Sequence, residues 1–371
     1  MKTLFTLIGV LLLGYAFLDK GFAYVGVAPL FISEVVLAVS LVILVMTIGV
    51  TAVPVTPATF WLVAFMTWGA ACTLPHLGAY GLDALRDAVV WGYALFALIV
   101  AAAFTRSGVY EAALNRYSGV LLWFLFWCPV GIAVYVVMKD SLPTFGNTDT
   151  TIFHLKAGDL GVHLAGATAF MLLGLHRLMA RTGTEPSVAR ERLMWLAAIL
   201  AVGMVGALNR GGFVSVIIAA AVIVLARPTS RVARLGMVAA LLLLAVLFTV
   251  DVGHLSGDER QVSLAQVILN LQSVLGIVDS QSLEGTVEWR LAWWERIIDY
   301  TVFGPYFWFG KGFGVNLFRD DLVNIWILDD PLRSPHNGHI TILARAGVPG
   351  LALWVAFNAA YVWGLARAFF A

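Results

Sequence analysis

The sequence predicts an all-α polytopic integral membrane protein with about ten transmembrane helices and one large outer loop that contains short helices. Of the 371 residues, 61% are hydrophobic and only 12% are charged. A soluble domain usually has about half apolar and about a quarter charged residues. The apolar residues also form long runs, many close to the roughly 17 to 25 residues that cross a bilayer.

The apolar runs give the predicted order of the helices along the chain. The first run follows Lys2 without a small-x-small cleavage site, which favours an uncleaved helix over a signal peptide. The predicted spans are residues 3–18, 30–50, 59–75, 86–104, 119–138, 161–180, 193–208, 213–226, 234–250 and 349–369.

The basic residues in the short connections predict the orientation. Most of them fall on one side of the membrane, which by the positive-inside rule is the cytoplasm. They are Lys2, Arg106, Arg116, Arg177, Arg181, Arg190, Arg192, Arg227, Arg231, Arg234 and Arg367. The predicted organisation is transmembrane helices one to nine over residues 1–250, an outer loop over 251–336, and a re-entrant or interfacial helix with a tenth transmembrane helix over 337–371.

Charge and cysteine usage exclude several classes of function. The net charge is +1, and no basic stripe is present that could neutralise a run of phosphates, so nucleic-acid binding is not expected. The two cysteines lie in separate apolar segments without metal-site spacing. We expect no cofactor and no metal site.

Arg210 is the first candidate site residue. Residues 209–212, Asn-Arg-Gly-Gly, join two predicted helices of about 16 and 14 residues, which at about 1.5 Å per residue are short for the bilayer core. A tight glycine hairpin could hold Arg210 below the outer surface, where an arginine is costly and usually functional. The alternative is that Arg210 extends to the lipid headgroups.

Arg290 is the second candidate, in an amphipathic segment of the outer loop. Residues 286–300 alternate tryptophans with charged residues, a pattern typical of an interfacial helix. The alternatives are an aromatic belt for the tryptophans and an ion pair for Arg290. Residues 303–318 mix glycines with aromatics, which suits a shaped loop over a site but lacks the spacing of a phosphate-binding Walker loop.

His336 and Asn337 are the third and strongest feature. Ser334 is predicted as an N-cap with Pro335 at the first helical position, which places His336 and Asn337 in the first turn. Gly347 is the predicted end of this helix, which is then too short to span the membrane. A neutral histidine there could accept a proton. The alternatives are that His336 and His339 only form local hydrogen bonds, or that they bind a metal, for which no third ligand is evident.

These features together resemble the O-antigen ligase and polymerase superfamily of bacterial inner-membrane glycan transferases. The resemblance covers roughly residues 193–366 and depends on the order and spacing of five segments. They are residues 209–211 (Asn-Arg-Gly), 288–290 (Glu-Trp-Arg), 312–314 (Gly-Phe-Gly), 336–337 (His-Asn) and 346–350 (Ala-Gly-Val-Pro-Gly). Asn209 departs from the serine frequent in the family. Family members often continue for one or two helices past the position of Ala371, which would give 11 or 12 in all.

The resemblance implies a reaction and a set of partners. Such proteins transfer a glycan from a polyprenyl diphosphate to an acceptor sugar hydroxyl at the periplasmic face: lipid A-core in ligases, a growing glycan in polymerases. It implies that Arg210 and Arg290 hold the diphosphate, that His336 is the general base, and that Asn337 orients His336 or the substrate. Since no Asp-x-Asp motif occurs, we expect metal-independent transfer.

The sequence is compatible with several classes of function. An O-antigen ligase is favoured slightly over an O-antigen or exopolysaccharide polymerase, which would use the same donor. A polysaccharide or lipid transporter should instead carry ionisable residues near the middle of the membrane. Here the predicted intramembrane carboxylates, Glu34 and Asp87, lie near helix ends. A structural subunit of an envelope complex is a third class.

Overall fold

The structure is a computed structural model that describes residues 2–27, 29–106, 108–145, 150–178, 188–226, 267–268, 281–321 and 333–370. These residues are mostly helical, and their strands form one short hairpin in which β1 (Gly26–Val27) pairs antiparallel with β2 (Leu30–Phe31). The predicted all-α fold is confirmed.

The helices of the described residues are numbered in chain order. They are α1 (Lys2–Leu18), α2 (Lys20–Ala23), α3 (Ile32–Ile43), α4 (Pro57–Thr73), α5 (Leu77–Tyr80), α6 (Leu82–Gly92), α7 (Ala94–Phe104), α8 (Val109–Met138), α9 (Ala157–Leu172), α10 (Leu175–Leu178), α11 (Val188–Leu208), α12 (Arg210–Ala226), α13 (Gln281–Val302), α14 (Leu317–Asp321) and α15 (Gly338–Phe370). Short turns continue three of them: a π-helical turn at Leu44–Ile48 after α3, and 3-10 turns at Leu74–His76 after α4 and Lys139–Ser141 after α8.

Several of these helices are long and apolar enough to cross a membrane. Within the described residues there are five: Pro57–Tyr80, Leu82–Phe104, Val109–Ser141, Val188–Leu208 and Gly338–Phe369, with shorter apolar helices at Thr3–Leu18, Ile32–Ile48 and Arg210–Ala226. The chain is therefore a multi-pass membrane protein. The predicted run 161–180 is divided between α9 and α10, and the predicted run 234–250 lies outside the described residues. The count of about ten spans, like the orientation, stays a prediction.

The chain divides into two compact units, which we describe separately. The N-terminal unit comprises Lys2–Val36 and Ser107–Ser282, and the C-terminal unit comprises Leu37–Arg106 and Leu283–Ala371. Part of the predicted outer loop, residues 251–266, 269–280 and 322–332, lies outside the described residues.

The core of the N-terminal unit lies among α8, α9, α11 and α12. Buried side chains from these helices include Leu125, Leu164 and Val205. The helices α9 and α12 approach closely at two glycines, where a Cβ added to Gly161 would lie 2.3 Å from the Cα of Gly212. Small residues at such a crossing are typical of helices packed in a membrane.

Asp19 is a buried carboxylate at the end of α1 in the same unit. Its side chain is 5% exposed, and Oδ2 accepts a hydrogen bond from the backbone N–H of Lys156 at 2.6 Å. Burial raises the pKa of Asp19 to about 6, although the hydrogen bond from Lys156 opposes the shift.

The core of the C-terminal unit is built around the packing of α4 against α15. One buried cluster joins Phe65 of α4 to Phe313 and Ile342, and a second joins Trp293 of α13 to Leu343 of α15. The first half of α15 is therefore enclosed by α4, α13 and the residues that follow α13.

Candidate active site

A glycine-rich loop between α13 and α14 lies against the backbone of α15. The N–H of Lys311 donates to the carbonyl of Ala344 at 2.7 Å, and the N–H of Gly312 donates to that of Arg345 at 3.1 Å. Gly310, Gly312 and Gly314 have φ of 61°, 80° and 106°, a region that favours glycine. The predicted shaped loop is thus observed, and its glycines permit this backbone path.

Close contact also requires glycine at two of these positions. A Cβ at Gly312 would lie 1.9 Å from Nε2 of His76, and a Cβ at Gly314 would lie 2.5 Å from Cβ of Tyr80. The loop is therefore held between α15 on one side and the segment from His76 to α6 on the other.

Asp87 of α6 is the centre of a buried ion-pair cluster at this loop. Its Oδ2 lies 2.9 Å from Nη1 of Arg345 and 3.0 Å from Nη2 of Arg333, and it accepts the N–H of Gly314 at 3.0 Å. Arg345 is 2% exposed and the Asp87 side chain 10%. Arg333 also approaches Asp83 at 3.4 Å. One carboxylate therefore compensates two arginines and fixes the end of the loop.

A second polar cluster fixes α13 and α14 to the loop. Asp321, which is fully buried, accepts hydrogen bonds from Trp293 Nε1 at 2.7 Å, Tyr300 OH at 3.3 Å and Lys311 Nζ at 2.5 Å. Burial would lower the pKa of Lys311, but its bonds to Asp320 and Asp321 outweigh that effect and raise it. Burial and the Asp321 charge raise the pKa of the Tyr300 hydroxyl.

Trp293 of α13 packs inside this unit, so the alternative of an aromatic belt is wrong for Trp293. Trp293 is fully buried, and Trp294 Nε1 donates to the carbonyl of Pro335 at 2.8 Å. The predicted helix 286–300 is confirmed, although it begins earlier, at Gln281.

The predicted helix start at Ser334 and Pro335 is wrong by about three residues. α15 begins at Gly338, and its cap is Asn337, whose Oδ1 accepts the N–H groups of His339 at 3.0 Å and Ile340 at 3.3 Å. His336 precedes the helix with φ of 53°. The backbone N–H groups of the first helical turn bond to the side-chain oxygen of Asn337 and not to the hydroxyl of Ser334, because Asn337 directly precedes the helix.

The predicted end of the helix at Gly347 is confirmed. Gly347 has φ 69° and ψ −171°, which interrupts α15 before Pro349. Trp68 Nε1 donates to the carbonyl of Ala346 at 2.8 Å, and the N–H of Val348 donates to that of Phe307 at 2.8 Å, so neighbouring groups satisfy the backbone at the break. The segment before the break is too short to cross a bilayer.

His336 and Asn337 line a cavity of about 640 Å³ in the C-terminal unit. Its lining also includes Arg86, Asp87, Arg333, His339, Arg345 and Trp354. Three arginines and one carboxylate give the wall an excess of positive charge, which suits an anionic ligand. Among the described residues, no group of three or more His, Cys, Asp or Glu side chains could hold a metal ion.

Arg290 lies near His336 through a shared tryptophan. The Cζ of Arg290 lies 5.4 Å from the centre of the Trp289 ring, whose centre lies 6.4 Å from that of the His336 ring. Among the described residues, the buried Nε of Arg290 has no hydrogen-bond partner. Arg290 and His336 thus belong to one neighbourhood, although Arg290 does not line the cavity.

Arg210 lies in the other unit, at the first position of α12. The bend between α11 and α12 is formed by Asn209 alone, since the Asn209 Oδ1 accepts the N–H of Gly212 at 2.7 Å. The predicted glycine hairpin is therefore wrong in detail: Gly211 and Gly212 are the second and third residues of α12. The convergence of Arg210 with Arg290 and His336 stays a prediction.

The site contains three residues that were not predicted to belong to it: Asp87, Arg333 and Arg345. A signal for the pair of Asp87 and Arg345 existed, because each is an ionisable residue inside an apolar helical segment, where such residues are usually paired. For Arg333 no such indication existed in the sequence, because a charged residue is ordinary in the polar part of the outer loop where Arg333 lies.

Comparison with known proteins agrees with the resemblance. Residues 195–355 match the family model described as O-antigen ligase, and this range includes Arg210, Arg290 and His336. The matched range also contains α13, the glycine-rich loop and the first half of α15. No match was found among the curated proteins or among the solved structures.

Proposed function

Since residues 195–355 match the family model described as O-antigen ligase, we propose that this membrane protein is a glycosyltransferase of the ligase type. It transfers a glycan from a polyprenyl diphosphate to a sugar hydroxyl of lipid A-core. The reaction takes place at the periplasmic face of a bacterial inner membrane. The family match is the observation that carries this proposal, and it supports ligase or polymerase chemistry in general.

In the proposed reaction, His336 removes the proton of the acceptor hydroxyl. The hydroxyl oxygen forms a bond to the anomeric carbon, and the bond from that carbon to the phosphate oxygen breaks. The diphosphate leaves with the electron pair, and the proton stays on His336 until it passes to solvent. The exposed position of His336 at the cavity supports this role, because an acceptor and water can both reach the ring.

Arg210 and Arg290 stabilise the charge that develops on the leaving diphosphate. A guanidinium can present two parallel N–H groups to phosphate oxygens. Supporting a polar role for Arg290, its Nε has no hydrogen-bond partner among the described residues, and its guanidinium lies beside Trp289, which also contacts His336. Since arginines supply the positive charge, the proposed transfer does not need a divalent cation.

Asn337 acts through the backbone in this proposal. Its Oδ1 caps α15 and thereby fixes the position of the adjacent His336. The excess positive charge of the cavity wall supports an anionic donor.

The experiment is a deletion strain of the source bacterium complemented by plasmid-borne chains. The wild-type chain should restore long glycans on lipid A-core, and His336→Ala should not, at equal amounts in the membrane. Restoration by His336→Ala would contradict the assigned base. Single repeat units on lipid A-core in the deletion strain would indicate a polymerase, which uses the same donor chemistry.

A further inference from the structure

His339 and Trp354 form a hydrogen bond that the proposed reaction does not use. Nε1 of Trp354 lies 3.1 Å from Nδ1 of His339, and both residues line the cavity that contains His336. His339 is exposed, so its ring is accessible to a bound molecule.

The break in α15 produces this contact. The two residues are 15 positions apart in the chain, which in an unbroken helix would separate them by about 22 Å. Because Gly347 turns the chain, Trp354 of the second segment reaches back to His339 of the first. The contact therefore places a fixed donor beside a histidine at the cavity wall.

The indole of Trp354 determines which nitrogen of His339 carries the proton. An indole N–H can only donate, so Nδ1 of His339 must accept. A neutral imidazole has one donor and one acceptor, and the proton therefore lies on Nε2. Among the described residues, Nε2 of His339 has no hydrogen-bond partner, which leaves this N–H for a ligand.

We propose that His339 donates a hydrogen bond through Nε2 to an oxygen of the substrate in the cavity, and that Trp354 is its positioning residue. The oxygen belongs to the diphosphate of the donor or to a sugar hydroxyl of the acceptor. His339 is not a second general base, because Nδ1 is occupied and Nε2 already carries a proton. The identity of the substrates rests on the proposed function, whereas the tautomer of His339 does not.

Two substitutions separate this role from a structural one. A glutamine at position 339 places an amide N–H near the position of Nε2, whereas an asparagine places its carbonyl near Nδ1 and can still accept from Trp354. His339→Gln should keep at least about a third of the wild-type kcat/KM. His339→Asn should lose about tenfold or more, as expected for one lost hydrogen bond to a charged or strongly polar oxygen.

The contribution of Trp354 is tested by Trp354→Phe, with Trp363→Phe as the matched control on an exposed part of the same helix. Trp354→Phe should lower kcat/KM several-fold, because the proton of His339 is then free to move to Nδ1. Adding Trp354→Phe to His339→Gln should cause no further loss, since glutamine has no tautomer to fix. Trp363→Phe should leave the rate unchanged.

The assay uses purified chain in lipid nanodiscs with polyprenyl-diphosphate-linked glycan and lipid A-core from the source bacterium. A rise in KM for the donor in His339→Asn identifies the diphosphate as the partner, and a rise for lipid A-core identifies the acceptor. Wild-type rates in His339→Asn, or a greater loss in His339→Gln than in His339→Asn, would overturn the proposal.

A second measurement needs no substrate. The ¹⁵N spectrum of histidine-labelled chain, with His339→Gln used to assign the signal, should show His339 as the Nε2–H tautomer, and Trp354→Phe should populate the other tautomer. A wild-type Nδ1–H tautomer would overturn the inference. If the wild-type chain transfers no glycan, the proposed function fails by itself, while the spectrum still decides the tautomer.

Discussion

Replacing Asp87 by asparagine should strongly destabilise the C-terminal unit. The substitution keeps the shape of the side chain but removes the charge that compensates Arg345 at 2.9 Å and Arg333 at 3.0 Å. Arg345 is 2% exposed, so solvent cannot replace the lost partner. Removing one member of a buried ion pair typically costs about 3 to 5 kcal/mol. In a domain of this size that cost corresponds to a Tm lower by about 6 to 20 °C.

The assay is thermal unfolding of the purified chain in one detergent, with Asp83→Asn as the matched control. The Asp83 side chain is 47% exposed and lies 3.3 Å from Arg86 and 3.4 Å from Arg333, so its loss should cost less than about 1 kcal/mol. Combining Asp87→Asn with Arg345→Met should recover part of the loss, because the second change removes the unpaired cation. Equal Tm values for Asp87→Asn and Asp83→Asn would refute the reasoning.

Three further predictions concern the loop, a buried carboxylate and the reaction. Gly312→Ala should lower the free energy of unfolding by about 2 to 4 kcal/mol, because its Cβ would lie 1.9 Å from Nε2 of His76 and its φ is 80°. The control Gly364→Ala, with open space around the Cβ, should not lower the Tm. Similar Tm values for the two variants would contradict the close packing at Gly312. The pKa of Asp19 is raised to about 6, so the stability that it contributes is full below its unfolded pKa of about 4 and is lost as the pH rises through 6. Asp19→Asn should remove this pH dependence of the Tm between pH 4 and 8. A Tm difference between Asp19→Asn and the wild type that stays constant over that range would count against the raised pKa of Asp19. Arg290→Lys should lower glycan transfer by about 10 to 100-fold in the nanodisc assay, because lysine cannot form the two-point contact, and an unchanged rate would exclude the contact.

The order of the helices could be predicted because apolar runs of membrane length are visible in the sequence. Helix ends were predicted less well. The glycine at position 347 was identified as a helix end because a left-handed residue followed by a proline is a local signal. The start of α15 was misplaced because Ser334, Pro335 and Asn337 are all good residues for a helix start. The tertiary structure decides among them, since the carbonyl of Pro335 accepts a hydrogen bond from Trp294 instead of one within the helix.

The ion-pair cluster could not be predicted from local patterns, because its members are far apart in the chain. Asp87 and Arg345 meet only when α6, the glycine-rich loop and α15 pack together. The hydrogen bond between His339 and Trp354 likewise depends on the chain direction after Gly347, which the sequence indicates only as a break. In contrast, the glycines at 310, 312 and 314 were identified correctly as parts of a shaped loop, since their composition reflects the backbone path itself.

The central claim is that this chain transfers a polyprenyl-diphosphate-linked glycan with His336 as the base and without a divalent cation. The most direct measurement is transfer to lipid A-core by the purified chain in EDTA, with His336→Ala measured beside the wild type. We expect wild-type transfer to continue in EDTA and His336→Ala to be slower by about 100-fold or more, the range of general-base contributions. Activity abolished by EDTA and restored by Mg²⁺, or a wild-type rate in His336→Ala, would contradict the account.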